Sequence, residues 1–239
     1  MKCILHIGTE KTGTTSIQNF LLRNDSALSA HGIATSRALG LGNNRALPTY
    51  FHSAVDDFAR WHRLRTRAEV QAYFRPALDG FRREVEEAGR TCSTVLISSE
   101  HCHSRLSTRE EIAALRAFLE PLFSEIEVHV YFREQSQLVQ SNYSTWIEGG
   151  GGAASLTEFS REAVPGNPYY DYLALSQMWT AEFGASNYYP KVFSRAALQN
   201  EDVRADFLFN VLKIEDSSNF DFSASNANQS LGAVQGNRV

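Results

Sequence analysis

The stretch "HIGTEKTGTTS", His6 to Ser16, holds residue types that can grip an anion. Backbone N–H groups of a tight glycine turn at a helix start converge on one spot and favour negative charge there. Gly8 and Gly13 have the spacing of the ordinary nucleoside-triphosphate loop, in which a lysine follows the second glycine. Here Thr14 stands in that place, and Lys11 comes two residues before Gly13. Thr14, Thr15 and Ser16 add hydroxyl donors, and Lys11 adds a point charge. A lysine so displaced reaches the anion from another side. That suits a group transferred from a monophosphate better than a β,γ-phosphate pair held with Mg²⁺.

Such a loop needs a strand before it and a helix after it. Cys3 to Ile7 is a short apolar run that reads as a buried strand. Ile17, Phe20, Leu21 and Asn24 follow at helical spacing. "HGIATSR" holds a second short strand, and Gly40 to Tyr50 reads as loop from its glycine, asparagine and proline. Ser53 to Ala88 reads as helix, with Phe74, Leu78, Phe81 and Val85 as its apolar stripe. "STVLISSE" is a strand, and "REEIAALRAFLEPLF" is a helix capped by Ser107 or Thr108. "IEVHVYFRE" is a strand and "QSQLVQSNYSTWIE" the helix after it, closed by the glycine run Gly149 to Gly152. "DYLALSQMWTAEFG" is a helix with Gly184 at its C-terminus, "YYPKVFS" an edge strand because of Pro190, and "VRADFLFNVLKI" a helix.

Alternating strands and helices predict an α/β fold: one domain over residues 1–216, with a central parallel sheet flanked by helices on both faces. Residues 217–239 form a polar, partly irregular tail. Ligands in such sheets bind at the carboxyl ends of the strands. Gly8, Glu100 and Arg133 all fall at or just past such ends, so three strands deliver polar groups to one rim.

The 239 residues suit a single core, and 43% hydrophobic with 21% charged residues is ordinary for a globular chain. A net charge of −4 gives no general case for a nucleic-acid polymer or an acidic membrane. The three cysteines, Cys3, Cys92 and Cys102, contain no C-x-x-C and point to a reducing compartment. "MKCILHIG" does not read as a secretory leader, and no apolar run approaches the ~20 residues that span a bilayer. A cytoplasmic location without a transmembrane segment is the expectation.

The loop "GTEKTGTTS" resembles the 5′-phosphosulfate loop of sulfotransferases that use 3′-phosphoadenosine 5′-phosphosulfate, commonly P-K-S/T-G-T-T. That family's second signature is a strand ending in arginine, with a serine eight residues later in the following helix. "VYFREQSQLVQSNYS" supplies Arg133 and, eight residues on, Ser141. The resemblance runs from about Lys2 to the asparagine-rich "NANQSL", and extends more weakly to "DYLALSQMWTAEFG" and "KVFSRAAL". It implies a P-loop-like sulfotransferase fold and 3′-phosphoadenosine 5′-phosphosulfate as co-substrate. Gly8, Thr9, Lys11, Thr12, Gly13, Thr14, Thr15 and Ser16 would hold the 5′ end, and Arg133 with Ser141 the 3′-phosphate. Lys11 would stabilise the bridging oxygen of the leaving phosphate, and no metal is required. The basic C-terminal cluster common in the family has only Arg238 to represent it here. Trp146 and Phe193 are candidates for the adenine ring, against the plainer reading as core aromatics.

The family's general base is a histidine or a glutamate, and "SSEHCHSR" offers Glu100, then His101, then His103. The alternatives are a helix-capping or structural carboxylate that bonds backbone N–H groups at Glu100, and ordinary loop histidines at the other two. "HCH" is a weak metal signal without a distant partner ligand. Glu10 is either a second acid–base group or, as expected, a solvent-exposed one. His6 and His129 are expected to be structural residues within strands, and the arginines of "RWHRLRTR" a solvated face rather than a site for an anionic acceptor.

The acceptor is a hydroxyl or amine on a small molecule, a saccharide or a lipid. Its walls are expected from Arg37 to His62, Gly149 to Gly152 and Arg161 to Tyr172, with Tyr169, Tyr170 and Tyr172 available to stack on a ring. Two other functions fit parts of the pattern. One is a P-loop kinase or nucleotide hydrolase, against which stands the missing lysine after Gly13. The other is a sulfotransferase-like module that binds the nucleotide without turnover.

Overall fold

Every strand runs parallel to its neighbours, in the order β2-β3-β1-β4-β5. The strands are β1 (Lys2–His6), β2 (Ile33–Thr35), β3 (Thr94–Ser98), β4 (Glu125–Phe132) and β5 (Tyr188–Val192). This is a computed structural model, and it describes residues 1–152 and 154–223. The "NANQSL" stretch, Arg238 and most of the polar tail lie outside the described residues. Residues 217–223 carry no helix or strand.

The helices follow in chain order. They are α1 (Thr14–Arg23), α2 (Asp25–Ala30), α3 (Ala46–Phe51), α4 (Asp57–Trp61), α5 (Arg67–Ala88), α6 (His101–Arg105), α7 (Arg109–Leu119), α8 (Gln135–Glu148), α9 (Leu156–Phe159), α10 (Tyr172–Phe183) and α11 (Val203–Asp206). A further wound turn, Phe207–Val211, continues directly from α11.

Both faces of the sheet are covered, which is why its strands read as apolar runs rather than alternating ones. Cys3, Leu5 and Ile7 point into one core with Val95, Ile97, Val128 and Val130; α5, α7 and α10 close it through Phe81, Leu115 and Trp179. Ile4, Leu96 and Tyr131 point into the other, closed by Ile17, Phe20 and Leu21 of α1 and by Phe207 and Leu208. The α/β class with helices on both faces is therefore the observed architecture. Pro190 sits in β5, which is an edge strand.

Two expectations are corrected. Gly40 to Tyr50 is not all loop, because α3 begins at Ala46 and carries Pro48 in its first turn. Proline is tolerated there, since the first-turn N–H groups have no intrahelical partner. The stretch from Ser53 to Ala88 is not one helix either. Arg63 takes a left-handed backbone (φ 62°) after α4. A capping box then restarts the chain as α5: Thr66 Oγ1 accepts from Glu69 N at 3.2 Å, and Glu69 accepts from Thr66 N at 2.9 Å.

Strand order fixes where a ligand can sit. From β1 the chain goes first to the edge strand β2, returns inward to β3, and then crosses to β4 and β5 on the other side. The crevice outside the carboxyl ends of β1 and β4 is thus the switch point of the sheet.

Candidate functional site

The loop after β1 is an extension of the sheet before it becomes a turn. Ile7 N donates to His129 O at 3.0 Å, Thr9 N to Tyr131 O at 3.1 Å, and Tyr131 N to Gly8 O at 2.8 Å. Gly8 has φ +100°, and a Cβ there would lie 2.9 Å from Glu100 Cα. A side chain would push the loop away from the exit of β3. Gly13 has φ +75° and is the N-cap of α1; a Cβ there would lie 2.9 Å from Val203 Cγ1. Both glycines are thus demanded by backbone shape and close approach.

Thr9 and Thr12 are buried, and their hydroxyls are spent inside the loop. Thr9 Oγ1 donates to Tyr131 O at 3.1 Å and Thr12 Oγ1 to Thr9 O at 2.6 Å. What they can offer an anion is backbone N–H. Thr14, Thr15 and Ser16 open α1, and that first turn contains no acidic residue. Its positive dipole end is left for an anion.

Lys11 has a left-handed backbone (φ 63°), uncommon for a non-glycine residue. Its Nζ donates to Thr145 Oγ1 of α8 at 2.7 Å. Arg133, just past β4, donates from Nη1 to Lys11 O at 3.1 Å and from Nε to Gln137 Oε1 at 3.4 Å. Its guanidinium stands 6.0 Å from the Phe193 ring centroid. Ser141 lies one turn before Thr145 on α8, and its carbonyl accepts from Thr145 Oγ1 at 3.2 Å. The loop, Arg133 and the Ser141–Thr145 face of α8 are thus brought together. Among the described residues, neither Lys11 nor Arg133 is in an ion pair, so both charges stay available to a ligand.

At the exit of β3 the geometry departs from the sequence reading. Glu100 is the N-cap residue of α6, but its side chain makes no capping bond. Its Oε2 instead accepts from Gln18 Nε2 of α1 at 2.6 Å. The helix-capping alternative is therefore corrected. Burial pushes the Glu100 carboxyl up from the usual carboxylate range, against the pull of Gln18. His101 and His103 are not loop residues; both lie on α6. His101 Nε2 is 3.6 Å from Glu100 Oε1, and its Nδ1 is 3.8 Å from Glu10 Oε1. Burial, with Arg45 nearby, holds the His101 imidazole down to about 4, so it is neutral at pH 7.

Glu10 is not solvent-exposed. Its Oε2 accepts from Tyr169 Oη at 2.7 Å, and its backbone N donates to His103 Nδ1 at 3.4 Å. Burial pushes this carboxyl up, but Ser104, the Tyr169 hydrogen bond and the two histidines more than offset it, and it stays below the usual range. His103 is 1% exposed, bonds Tyr169 O through Nε2 at 2.9 Å, and packs on the Tyr169 ring. Tyr169 therefore ties loop and α6 together, and Tyr172 stacks on Phe132 with centroids 4.4 Å apart. Their contacts are with the protein's own rings. Trp146 packs with Tyr143 and Phe159, away from the core clusters. Phe193 packs against the second core cluster, as the plainer reading has it, and lies beside Gly13 and Arg133.

His6 is fully buried and bonds Ser98 Oγ through Nδ1 at 2.9 Å; His129 bonds Glu127 at 3.1 Å. Burial pushes His6 down to about 3 and His103 to about 4, against 6.5 for a free imidazole. The unfolded chain therefore takes up these protons first as pH falls. Their stabilisation is complete above about pH 6.5 and is lost as pH falls towards 4, at about 1.4 kcal/mol per pH unit for each imidazole. The raised Glu100 carboxyl opposes this, but it is one group against four, because burial holds His101 and His129 down as well. The urea midpoint is expected to drop clearly between pH 7 and pH 5; an unchanged midpoint would show that these rings are not held neutral.

A cleft of about 900 Å³ opens beside His101, between the Ala38–Ala46 segment, α4 and α5. Arg45 lines it but is already paired with Asp56 at 2.7 Å and Asp57 at 3.0 Å, and Arg105 also holds Asp57 at 2.9 Å. The arginines of "RWHRLRTR" do not line it with charge. Arg67 donates to the carbonyls of Thr49 and Tyr50, and Arg60 to that of Val55. Among the described residues, no group of three or more His, Cys, Asp or Glu is arranged to hold a metal, and no helix is long and apolar enough to cross a membrane.

No protein-family model matches the chain, and none of the curated proteins does. Among solved structures the chain is similar to a sulfotransferase from Alicyclobacillus acidocaldarius. The two are 14% identical, with 88% of this chain and 76% of that chain covered and a TM-score of 0.47. At that level the likeness is one of broad chain path.

Proposed function

We propose that the chain is a sulfotransferase that moves a sulfuryl group from 3′-phosphoadenosine 5′-phosphosulfate to a hydroxyl or amine. The observation that carries this reading is the pairing of two separate cation sites across the β1–β4 crevice. Lys11 sits on the glycine loop at the start of α1, and Arg133 stands at the end of β4 with its guanidinium on the Lys11 carbonyl at 3.1 Å. A donor with a phosphate at each end of a ribose needs two such anion sites. Neither cation is neutralised by a carboxylate among the described residues, which fits that donor.

In this reading the backbone of Gly8 to Gly13 and the first turn of α1 hold the 5′ end. Arg133 and Ser141 hold the 3′-phosphate, with charge-assisted bonds from the guanidinium. Phe193 offers a ring face beside both. Lys11 would neutralise charge that develops on the leaving phosphate. His101 or Glu100 takes the proton of the acceptor. The acceptor oxygen bonds to sulfur as the sulfur–phosphate oxygen bond breaks, giving a sulfate ester and 3′-phosphoadenosine 5′-phosphate. No protein metal ligand enters these steps. We assign the reaction to the cytoplasm, supported by three free cysteines.

The test is calorimetric titration of 3′-phosphoadenosine 5′-phosphate, without metal, into the wild type and Arg133→Ala. Micromolar binding by the wild type, weakened roughly 30-fold or more in the variant, is expected from loss of a charge-assisted phosphate contact of about 2 kcal/mol or more. No binding by the wild type overturns the reading, and tight binding of Mg·ATP instead would turn it towards a kinase or nucleotide hydrolase. Binding without transfer to any acceptor would leave a nucleotide-binding module.

A further inference from the structure

The cleft beside His101 has a wall that the proposed chemistry does not explain. Phe74, Phe58 and Trp61 form a ladder of nearly parallel rings. Phe58 and Phe74 have centroids 5.8 Å apart at 24°, and Phe58 and Trp61 6.3 Å apart at 17°. The inner rung, Phe74, is buried, whereas the outer rung, Trp61, is 76% exposed. Leu41 and Tyr73 also line the cleft, and both are exposed, Leu41 at 67%. Large apolar side chains left in water and gathered around one concavity mark a surface that something covers. A volume of about 900 Å³ is in the range of small-molecule sites.

The polar groups of the same cleft narrow the occupant further. Arg45 and Asp57 neutralise each other, so the wall offers no unpaired charge of either sign to a charged ligand. Tyr73 Oη and His62 Nδ1 are bonded to each other at 2.9 Å. A saccharide would find these two groups already committed and only the Asn43 amide left to it, whereas a flat apolar body would extend the ring ladder by one rung and cover Leu41 and Tyr73. The polar group facing the candidate transfer site is His101.

We infer that this cleft binds the acceptor, and that the acceptor is an uncharged hydroxyl compound built on a flat apolar ring system, stacked on Trp61 with its hydroxyl towards His101. The inference rests on the sulfotransferase reading for the word acceptor, and on the ring ladder alone for the binding site. In the transfer the ring compound's oxygen bonds to sulfur, its proton passes to His101 or Glu100, and 3′-phosphoadenosine 5′-phosphate leaves.

The experiment uses 2-naphthol as the ring probe and methyl β-glucoside as the polar comparator, with the full chain. Calorimetry measures the binding of each to the wild type, Trp61→Ala and Tyr73→Ala. Transfer of labelled sulfuryl groups from the donor gives KM and kcat. 2-Naphthol should bind the wild type and bind Trp61→Ala at least tenfold more weakly. Its KM should rise by a similar factor while kcat stays within about threefold. Both variants should bind 3′-phosphoadenosine 5′-phosphate within twofold of the wild type, which shows that they are folded, because both side chains are largely exposed. Nucleotide binding with no 2-naphthol binding, with no effect of either substitution on it, or with the glucoside preferred overturns this inference and leaves the sulfotransferase reading standing. Binding of 2-naphthol that depends on Trp61, in a chain that binds no nucleotide, keeps the ring site and sinks the transfer reading.

Discussion

Lys11→Ala is expected to lower turnover by roughly 10²–10³-fold while affinity for 3′-phosphoadenosine 5′-phosphate falls by less than about tenfold. The argument is one of timing. In the proposed complex the 5′ end would already meet the loop backbone and the dipole of α1 in the ground state. The extra negative charge appears on the leaving oxygen only as the sulfur bond breaks. A cation that matters at that moment appears in kcat rather than in binding. Lys11 is suited to it because its Nζ is held by a hydroxyl, Thr145 Oγ1 at 2.7 Å, and not by a carboxylate that would neutralise it. Arg133→Ala should behave oppositely, with the loss mainly in affinity. Lys11→Arg should rescue little, since a planar fork does not replace a compact ammonium in a tight turn. Steady-state kinetics beside calorimetry separates the two effects. A Lys11→Ala variant with normal turnover would remove Lys11 from the chemistry.

The parts of this site that were legible in the sequence are local. The glycine spacing, the run before it and the helical stripe after it are read within twenty-five residues, and β1, the loop and α1 follow that pattern. The helix "QSQLVQSNYSTWIE" coincides with α8; Glu134, outside the usual N-cap types, caps it by accepting from Ser136 N and Gln137 N, and Gly149 closes it. The α4–α5 break is written in the Thr66–Glu69 capping box, inside a stretch whose composition matches a single charged helix. What could not be read is pairing at long range. Glu10 looks like a solvent residue until Tyr169, from 159 positions away, covers it. Gln18 gives no hint that it holds Glu100, and the loop gives no hint that Thr145 holds Lys11. The aromatic cleft is assembled from residues of α4, α5, the Leu39–Leu41 turn and α6, four stretches that no spacing rule connects.

Long-range placement also bears on the proton acceptor, where the sequence favoured Glu100. His101→Ala is expected to lower kcat by roughly 10²–10⁴-fold, and Glu100→Gln by about tenfold or less. His101 lines the cleft proposed for the acceptor, whereas Glu100 is turned to Gln18 on α1, at 2.6 Å. A glutamine at 100 keeps the size needed for that contact, so its loss should be mild. The imidazole lies between Glu100 and Glu10, at 3.6 Å and 3.8 Å, and these carboxylates can stabilise the cation it becomes. The base must be neutral to work. Burial and Arg45 push His101 down to about 4, so the acid limb of kcat/KM should fall below the 6.5 of a free imidazole. The rate therefore climbs with pH through that limb and is flat by pH 7. The bound donor is anionic and draws the limb of kcat upward from the limb of kcat/KM, because negative charge favours the imidazolium. A pH profile of the wild type with both variants decides the assignment. If Glu100→Gln abolishes turnover and His101→Ala does not, the proton goes to the carboxylate and His101 serves only to line the cleft.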